Sequence, residues 1–522
     1  MAAAITGFVA VAAALGAGHL MAGILLQPGA SPFLAVGNAA IDRTPAPIKD
    51  FAISTFGTAD KPALLIGMAV FLALASVVIG LVSRRSAVPG LAAIAVLGAI
   101  GALAVREQSP QSLALLAPVA SLIAGLAAFW FLHRRGQPTT DLPTTGDAPA
   151  DADERPRRPL RRRGFLVGSA GVAAGAAAAT VGGAVLERRV DVAASRGAVG
   201  PLVPAVPAPP IPSTAAFPEL GTPTFITPSK DFYRIDINLT VPQLRAEDAV
   251  LKITGLVDEP QEITFDEIRN MPLVEKTITM TCVSNEVGGP YVSTSNFLGV
   301  PLIGLLDRAG IQSGATQVVG RSFDGFTLGT PLDMLRDVGE EALLAIGMNR
   351  EPLLPEHGFP MRTVVPGLYG YVSATKWLTE LRLATYDFKP YWVERQWDGE
   401  PPGVVPIKIS SRIDAPGSFQ RIPRGEVTVA GTAWAQGRGI EKVEIRFDDG
   451  EWEPAELATE VNRNTWQMFR LTRPLESGTH KVTSRATDRT GFVQPQERLP
   501  LITPGPTPDG STGWHAIDFF VE

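Results

Sequence analysis

The sequence predicts a multidomain chain: an N-terminal α-helical transmembrane region of about five spans, an α+β domain, and a C-terminal all-β sandwich. Three observations predict it. At 522 residues the chain is too long for one ordinary domain. Its first third is dominated by Ala, Leu, Val, Ile and Gly, whereas nearly all Trp and Tyr lie beyond residue 229. Beyond 229 the patterning turns to mixed strand and helix signals, and beyond 405 to closely spaced short strands. The net charge of -6 averages a basic middle and a more acidic remainder, so it selects no partner. Nothing suggests nucleic acid, because the arginines near 155–163 sit in Pro/Asp-rich sequence with no interleaved aromatics.

Apolar stretches at about 1–26, 63–82, 89–105, 112–132 and 165–186 approach or reach the roughly 17–25 residues that a bilayer-crossing helix needs. The first lacks the basic leader of a secretory signal, and further apolar stretches come after it, so it reads as a retained helix. Four membrane helices are expected in 1–135, a cytoplasmic disordered loop over 136–163, the fifth helix over 164–187, and a Pro-rich linker over 188–228. Composition makes GQPTTDLPTTGDAPADADERPRRPL (136–160) disordered and the Pro-rich 196–223 a stiff spacer holding the soluble part off the membrane. Arg84, Arg85 and the arginines between 134 and 163 mark cytoplasmic loops, although Arg188 and Arg189 argue weakly against that orientation. A multi-pass protein of the cell membrane is expected, with everything after 187 on the extracytoplasmic side. The stretch RRRGFLVGSAG (161–171) reads as a plain positive-inside flank, and it also resembles a twin-arginine export signal at Arg162 and Arg163.

In 229–395, AVLKITGLV (249–257) and TITMT (277–281) alternate as strands. Helices are expected at 264–271, capped by Thr264, and at 302–310, ending on Gly310. The single cysteine, Cys282, rules out an intramolecular disulfide. It shares parity with Ile278 and Met280, which makes it a small core residue by periodicity. The polar, flexible Ser-Asn-Glu-Val-Gly-Gly-Pro after it gives another reading, a soft thiolate presented to a metal from a strand end. Downstream, EHGFPMRTVVPGLYGYVSATKWL (356–378) gathers His357, Arg362, Tyr369, Tyr371, Ser373, Lys376 and Trp377 among glycines. Such a cationic loop suits a large anionic cofactor whose phosphate takes Arg, Lys and backbone N–H groups. It is neither a Walker loop nor a Rossmann fingerprint.

Together, TCVSNEVGG and HGFPMRTVVPGLYGYVSATKWL resemble the molybdenum-cofactor domain of the sulfite oxidase family, over about 225–390. The resemblance implies a molybdopterin-binding oxidoreductase domain at 229–395, with Cys282 as the catalytic protein thiolate on molybdenum. It implies that His357, Arg362, Ser373 and Lys376 hold the pterin and its phosphate, with Tyr371 in the same segment. Tyr233, Arg234 and Asp236 of DFYRID stand where relatives begin lining the pocket. Asn285 matches the Asn after the cysteine, and Arg321 in GRSFDGF is a further cofactor candidate. Two positions depart from the sulfite oxidases: Glu286 replaces a sulfite-binding arginine, and Ile346 in LLAIGMNR replaces a tyrosine. A carboxylate beside the metal repels dianionic sulfite. Tyr369-Gly370 is similar instead to bacterial relatives that reduce methionine sulfoxide, so Tyr369 and Glu286 join the catalytic candidates.

Beyond 405, GEVTVAGTAWAQ, IEKVEIRFDDGEWEPAEL, TWQMFRLTRPL, HKVTSRATD and WHAIDFFVE read as successive strands of a sandwich. Residues 405–522 resemble the immunoglobulin-like domain that comes after the molybdenum domain in sulfite oxidases, which implies a homodimer through it. His480 and His515, on strands, receive no chemistry. The expected activity is membrane-anchored, two-electron oxo transfer on a small sulfur-containing substrate. The alternatives are reduction of methionine sulfoxide in proteins, and a non-catalytic membrane scaffold or binding protein. No CxxCH motif or cytochrome b5 histidine pair is visible, and His19 is the only histidine in the expected spans. No haem is therefore expected in the chain, and a separate haem protein or quinone is the expected electron partner.

Overall fold

The computed structural model describes residues 1–44, 48, 60–108, 112–136, 158–187, 191–237, 239–395, 406–498, 510 and 513–522. They form two compact units, Met1–Asp191 with Asp236–Val241, and Val192–Ile235 with Pro242–Glu522.

The first unit is helical: α1 (Ala2–Ile24), α2 (Pro32–Arg43), α3 (Asp60–Val82), α4 (Val88–Gln108), α5 (Leu116–Gly136) and α6 (Arg158–Glu187). Five helices, all but the short α2, are long and apolar enough to cross a membrane. Between helices in lipid no hydrophobic force operates, so association depends on close approach of small residues. Helix α1 shows this along its length: a Cβ at Gly7 would stand 2.0 Å from Ser76 O on α3, and one at Gly23 would stand 2.6 Å from Gly183 O on α6.

The helical unit corrects two expectations. Helix α6 takes in 158–163, which composition assigned to the disordered loop. Arginine is a good helix former, and Pro159 falls in the first turn, where its missing N–H costs nothing. Helix α5 runs to Gly136 and so carries His133, which stacks on Phe129, beyond the expected end of that span. The remainder of the loop, with Arg188 and Arg189, lies outside the described residues.

The second unit begins with α7 (Val192–Val199). The chain after α7 is packed against the domain, which corrects the reading of 196–223 as a spacer. The Ala205 N–H donates to Leu273 O (2.8 Å), Glu275 N–H to Val206 O (2.8 Å), and Ala208 N–H to the Glu275 carboxylate (3.1 Å). Leu202, Ala215, Phe217 and Phe225 are buried. Extended proline-rich backbone has little entropy left to lose, and its non-proline groups can pair with an open strand edge.

Ten strands build the next part of the unit: β1 (Val250–Gly255), β2 (Gln261–Thr264), β3 (Val274–Thr281), β4 (Val292–Pro301), β5 (Gln317–Ser322), β6 (Thr327–Pro331), β7 (Leu343–Met348), β8 (Glu351–Pro352), β9 (Arg362–Val364) and β10 (Leu378–Ala384). They make two sheets, ordered β2-β1-β10-β5-β6 and β3-β4-β7-β8, with β9 also on β7. Helix α8 (Phe265–Arg269) starts in a capping box between Thr264 and Glu267. Thr264→Ala should cost about 1 kcal/mol, read as a lower denaturant midpoint with an unchanged slope. The helix Leu302–Arg308 ends before Gly310 at φ +71°, as expected.

Ile278 and Met280 on β3, and Cys282 just past its end, are buried, but Thr277, Thr279 and Thr281 are buried too. The second face is covered by the C-terminal domain. Trp466 N–H donates to Thr279 Oγ1 (2.7 Å), Gln436 Nε2 to Thr281 Oγ1 (3.0 Å), and Thr279 N–H to Asn464 O (2.9 Å). Alternation in this strand separates an apolar buried face from a hydrogen-bonded one.

The C-terminal domain is a sandwich of β11 (Ser410–Ala415), β13 (Gly425–Trp434), β17 (Gln467–Leu475) and β16 (Glu456–Leu457) against β12 (Arg421–Ile422), β19 (His515–Val521), β18 (Gly478–Asp488), β14 (Ile440–Phe447) and β15 (Glu453–Pro454). Val429, Val443, Ile445, Phe469, Val482 and Phe519 fill its centre.

Candidate active site

Loop 282–291 joins β3 to β4, with Thr281 opposite Val292. Pairing continues one step further, because Cys282 N–H donates to Tyr291 O (3.0 Å). The loop then folds on itself. Asn285 N–H donates to Cys282 O (3.0 Å), Gly289 N–H to Glu286 O (2.8 Å), and Tyr291 N–H to Asn285 Oδ1 (2.8 Å). Asn285 is buried as the brace of this loop, whereas Glu286 is exposed on it.

The Cys282 thiol is buried, and burial pushes its pKa up. The backbone N–H and hydroxyl of Ser284 and the Lys376 ammonium pull it back down. These are the groups that stabilise a thiolate, the form that binds a metal. Tyr233, half-buried, feels the same neighbourhood: burial and Cys282 raise its pKa, and Arg362 lowers it in part. It stays a neutral phenol.

The cationic loop is built around backbone carbonyls. Arg362, buried on β9, donates to His357 O (3.1 Å), and His357 Nε2 meets Ser229 O (2.9 Å). The His357 ring stands edge-on to Phe232, with centroids 5.5 Å apart. Half-buried Lys376 donates to Glu356 O (3.1 Å), and its ammonium lies 4.9 Å from the Trp377 ring centroid. Ser373, fully buried, donates to Tyr369 O (2.9 Å). Cys282, Tyr233, Arg362, Lys376 and His357 therefore share one neighbourhood.

The remaining candidates have partners of their own. Arg321 is paired with Glu380 across β5 and β10 (3.0 Å). Arg234 is exposed, and Asp236 groups with the helical unit, its carbonyl accepting from Lys61 Nζ (3.0 Å). Tyr369 is buried with its hydroxyl accepting from Lys408 N–H (3.2 Å), and Tyr371 packs beside a cluster that includes Trp434 and Trp466. Ile346 is fully buried on β7.

Sequence reasoning missed Ser284, Phe232 and Asn349. Asn349 and Arg350, both at positive φ, form the two-residue turn between β7 and β8. The Asn349 amide accepts from Ser295 Oγ (2.8 Å) and donates to Thr227 O (3.0 Å) and Ser229 Oγ (3.1 Å). It thereby fixes the segment whose carbonyl receives His357. The Met-Asn-Arg step was a legible turn signal, since Asn tolerates left-handed backbone.

His515 Nδ1 accepts from Ile413 N–H (3.0 Å). Burial, with Arg412 and Arg498 nearby, holds its pKa down to about 4. The folded state thus binds fewer protons than the unfolded one below the ordinary value near 6.5. Stability should fall by up to about 3 kcal/mol as pH drops from 6.5 towards 4. His515→Asn should flatten that part of the Tm-against-pH curve.

Comparison with known proteins matches residues 238–392 to the oxidoreductase molybdopterin binding domain and 404–503 to the Mo-co oxidoreductase dimerisation domain. Mitochondrial sulfite oxidase of Homo sapiens is 29% identical over 348 residues, covering 58% of this chain and 63% of that protein. NADH nitrate reductase of Ulva prolifera is 30% identical over 319 residues, covering 49% of this chain and 36% of that protein. The chain thus spans less than two thirds of the length of either relative. Among solved structures, the sulfane dehydrogenase SoxCD from Paracoccus pantotrophus aligns with a TM-score of 0.48 and 24% identity, over 55% of this chain and 79% of that one.

Proposed function

The chain belongs to the sulfite oxidase family of molybdenum-cofactor-dependent oxidoreductases, and from that premise we propose that it is membrane-anchored and moves an oxo group to or from a small sulfur-centred substrate. The observation that carries the site assignment is the buried Cys282 thiol, met by Ser284 donors and the Lys376 ammonium. The donor set fits a molybdopterin: one soft protein ligand at a strand end, with buried Arg362 and half-buried Lys376 nearby for an anionic pterin phosphate.

When bound, the cofactor supplies a two-electron redox centre with a transferable oxo group. The chain's own residues do the rest. Cys282 gives the thiolate, and Arg362, Lys376, His357 and Ser373 hold and orient the pterin and its phosphate. The Asn285 brace keeps the ligand-bearing loop closed, and the neutral Tyr233 phenol is available as a hydrogen-bond donor beside Cys282. The five apolar helices anchor the chain, with the catalytic and sandwich domains on the extracytoplasmic side. A separate haem protein or quinone exchanges electrons, and the sandwich, immunoglobulin-like in this reading, joins two copies.

A second reading reverses the direction, reducing protein methionine sulfoxide. Glu286 favours it, since an exposed carboxylate on the Cys282 loop disfavours dianionic sulfite but not a neutral sulfoxide. Elemental analysis of the purified full-length protein tests the common ground, and absence of molybdenum would sink both readings. Sulfite-driven dye reduction set beside dye-driven sulfoxide reduction then separates them.

A further inference from the structure

The loop after Cys282 is held from outside its own domain. Arg412 on β11 donates from Nη1 to Gly289 O (2.9 Å), and Arg498 donates from Nη2 to Val287 O (3.0 Å). Between those carbonyls Gly288 sits at φ +80°, and a Cβ there would stand 2.3 Å from His515 Nε2 on β19. All three side chains belong to the C-terminal domain. Arg412 is itself fixed by Asp414, whose Oδ1 accepts from Nε at 2.6 Å. Only 12% and 9% of these two side chains remain exposed.

A buried ion pair of this kind repays little of its desolvation cost as net stability. It does confer direction. A guanidinium anchored on one edge by a carboxylate has its remaining N–H vectors fixed, because the fork is planar and rigid. The Gly289 carbonyl is thereby set in orientation as well as distance. Glu286, exposed, and Asn285, buried, lie on the same short loop, between the cysteine and the clamped carbonyls.

We propose that the Asp414–Arg412 pair, with Arg498 and His515, is a positioning device by which the C-terminal domain sets the 286–289 turn. Through it that domain fixes where the Glu286 carboxylate stands relative to Cys282, and with it which substrate charge is admitted. Arg412 and Asp414 are positioning residues that act through the loop. The consequence for substrate rests on reading Cys282 as the metal ligand, but the clamp itself does not.

The test is hydrogen–deuterium exchange of the full-length protein as purified, with its molybdenum content measured, monitored at the Asn285, Gly289 and Tyr291 amides. Asp414→Asn and Arg412→Ala should speed their exchange by about tenfold or more, and Arg412→Lys should restore part of the protection. Val443→Ala, a core truncation in β14, lowers overall stability without touching the loop and should leave these amides unchanged. The clamp variants should also shift KM by more than kcat in whichever assay the wild type supports. Equal exchange in Asp414→Asn and Val443→Ala, or no change in either, would overturn the proposal. A wild type free of molybdenum would end the metal-ligand reading while leaving the exchange result standing.

Discussion

Cys282→Ser should leave a folded protein whose turnover is reduced by roughly a thousandfold or more, equivalent to about 4 kcal/mol of activation free energy. The change replaces sulfur by oxygen at a buried position, and a near-isosteric swap of that kind costs less than about 1.5 kcal/mol of stability. Its chemical effect is larger. A serine hydroxyl gives up its proton far less readily than a thiol, and hard oxygen is a poor substitute for a soft thiolate. The substitution is clean to interpret, because the chain has one cysteine and no other thiol can stand in. Molybdenum should remain partly bound, held by the pterin contacts around Arg362 and Lys376. Full activity in the serine variant would remove Cys282 from the reaction.

Gly358→Ala should destabilise the protein by about 3 kcal/mol and loosen the cofactor. Gly358 stands at φ +101°, a conformation that side chains rarely adopt. A Cβ there would lie 2.9 Å from Lys376 Cβ and 3.0 Å from Lys376 Cα. Backbone strain and overlap therefore arise together, and neither contact is the far end of a flexible chain. Lys376 or the 355–358 turn has to move, and Lys376 is one of the groups that lowers the Cys282 pKa. The measurements are Tm and the molybdenum-to-protein ratio. A variant with wild-type values of both would show that this close approach is unimportant.

Several features were legible because their signals are local. Five apolar helices need only length and composition, and the Thr264–Glu267 capping box spans three residues. Cys282 was placed at its strand end by alternation and by the turn residues after it. Its chemistry, however, depended on His357, Arg362 and Lys376, which lie about eighty residues away, and only the family pattern joined them in advance. The features that stayed hidden were long-range. The second buried face of β3 requires Trp466 and Gln436 from the sandwich. The pairing of Arg321 with Glu380 was not visible, because Glu380 is on a neighbouring strand rather than nearby in sequence. Proline-rich sequence looks the same in water as on a sheet edge, so composition could not show that 200–228 is packed.

That packing sets where the second compact unit begins. Were the chain cut before residue 229, where the recognisable catalytic pattern starts, Leu202, Ala215, Phe217 and Phe225 would leave with the discarded piece. The apolar surface they cover would meet water, and the β3 edge that Val206 bridges at Val274 would offer unpaired backbone to another copy. A fragment starting at Val192 keeps that edge covered and should stay in solution. One starting at 229 should self-associate, although it retains every residue assigned to the cofactor.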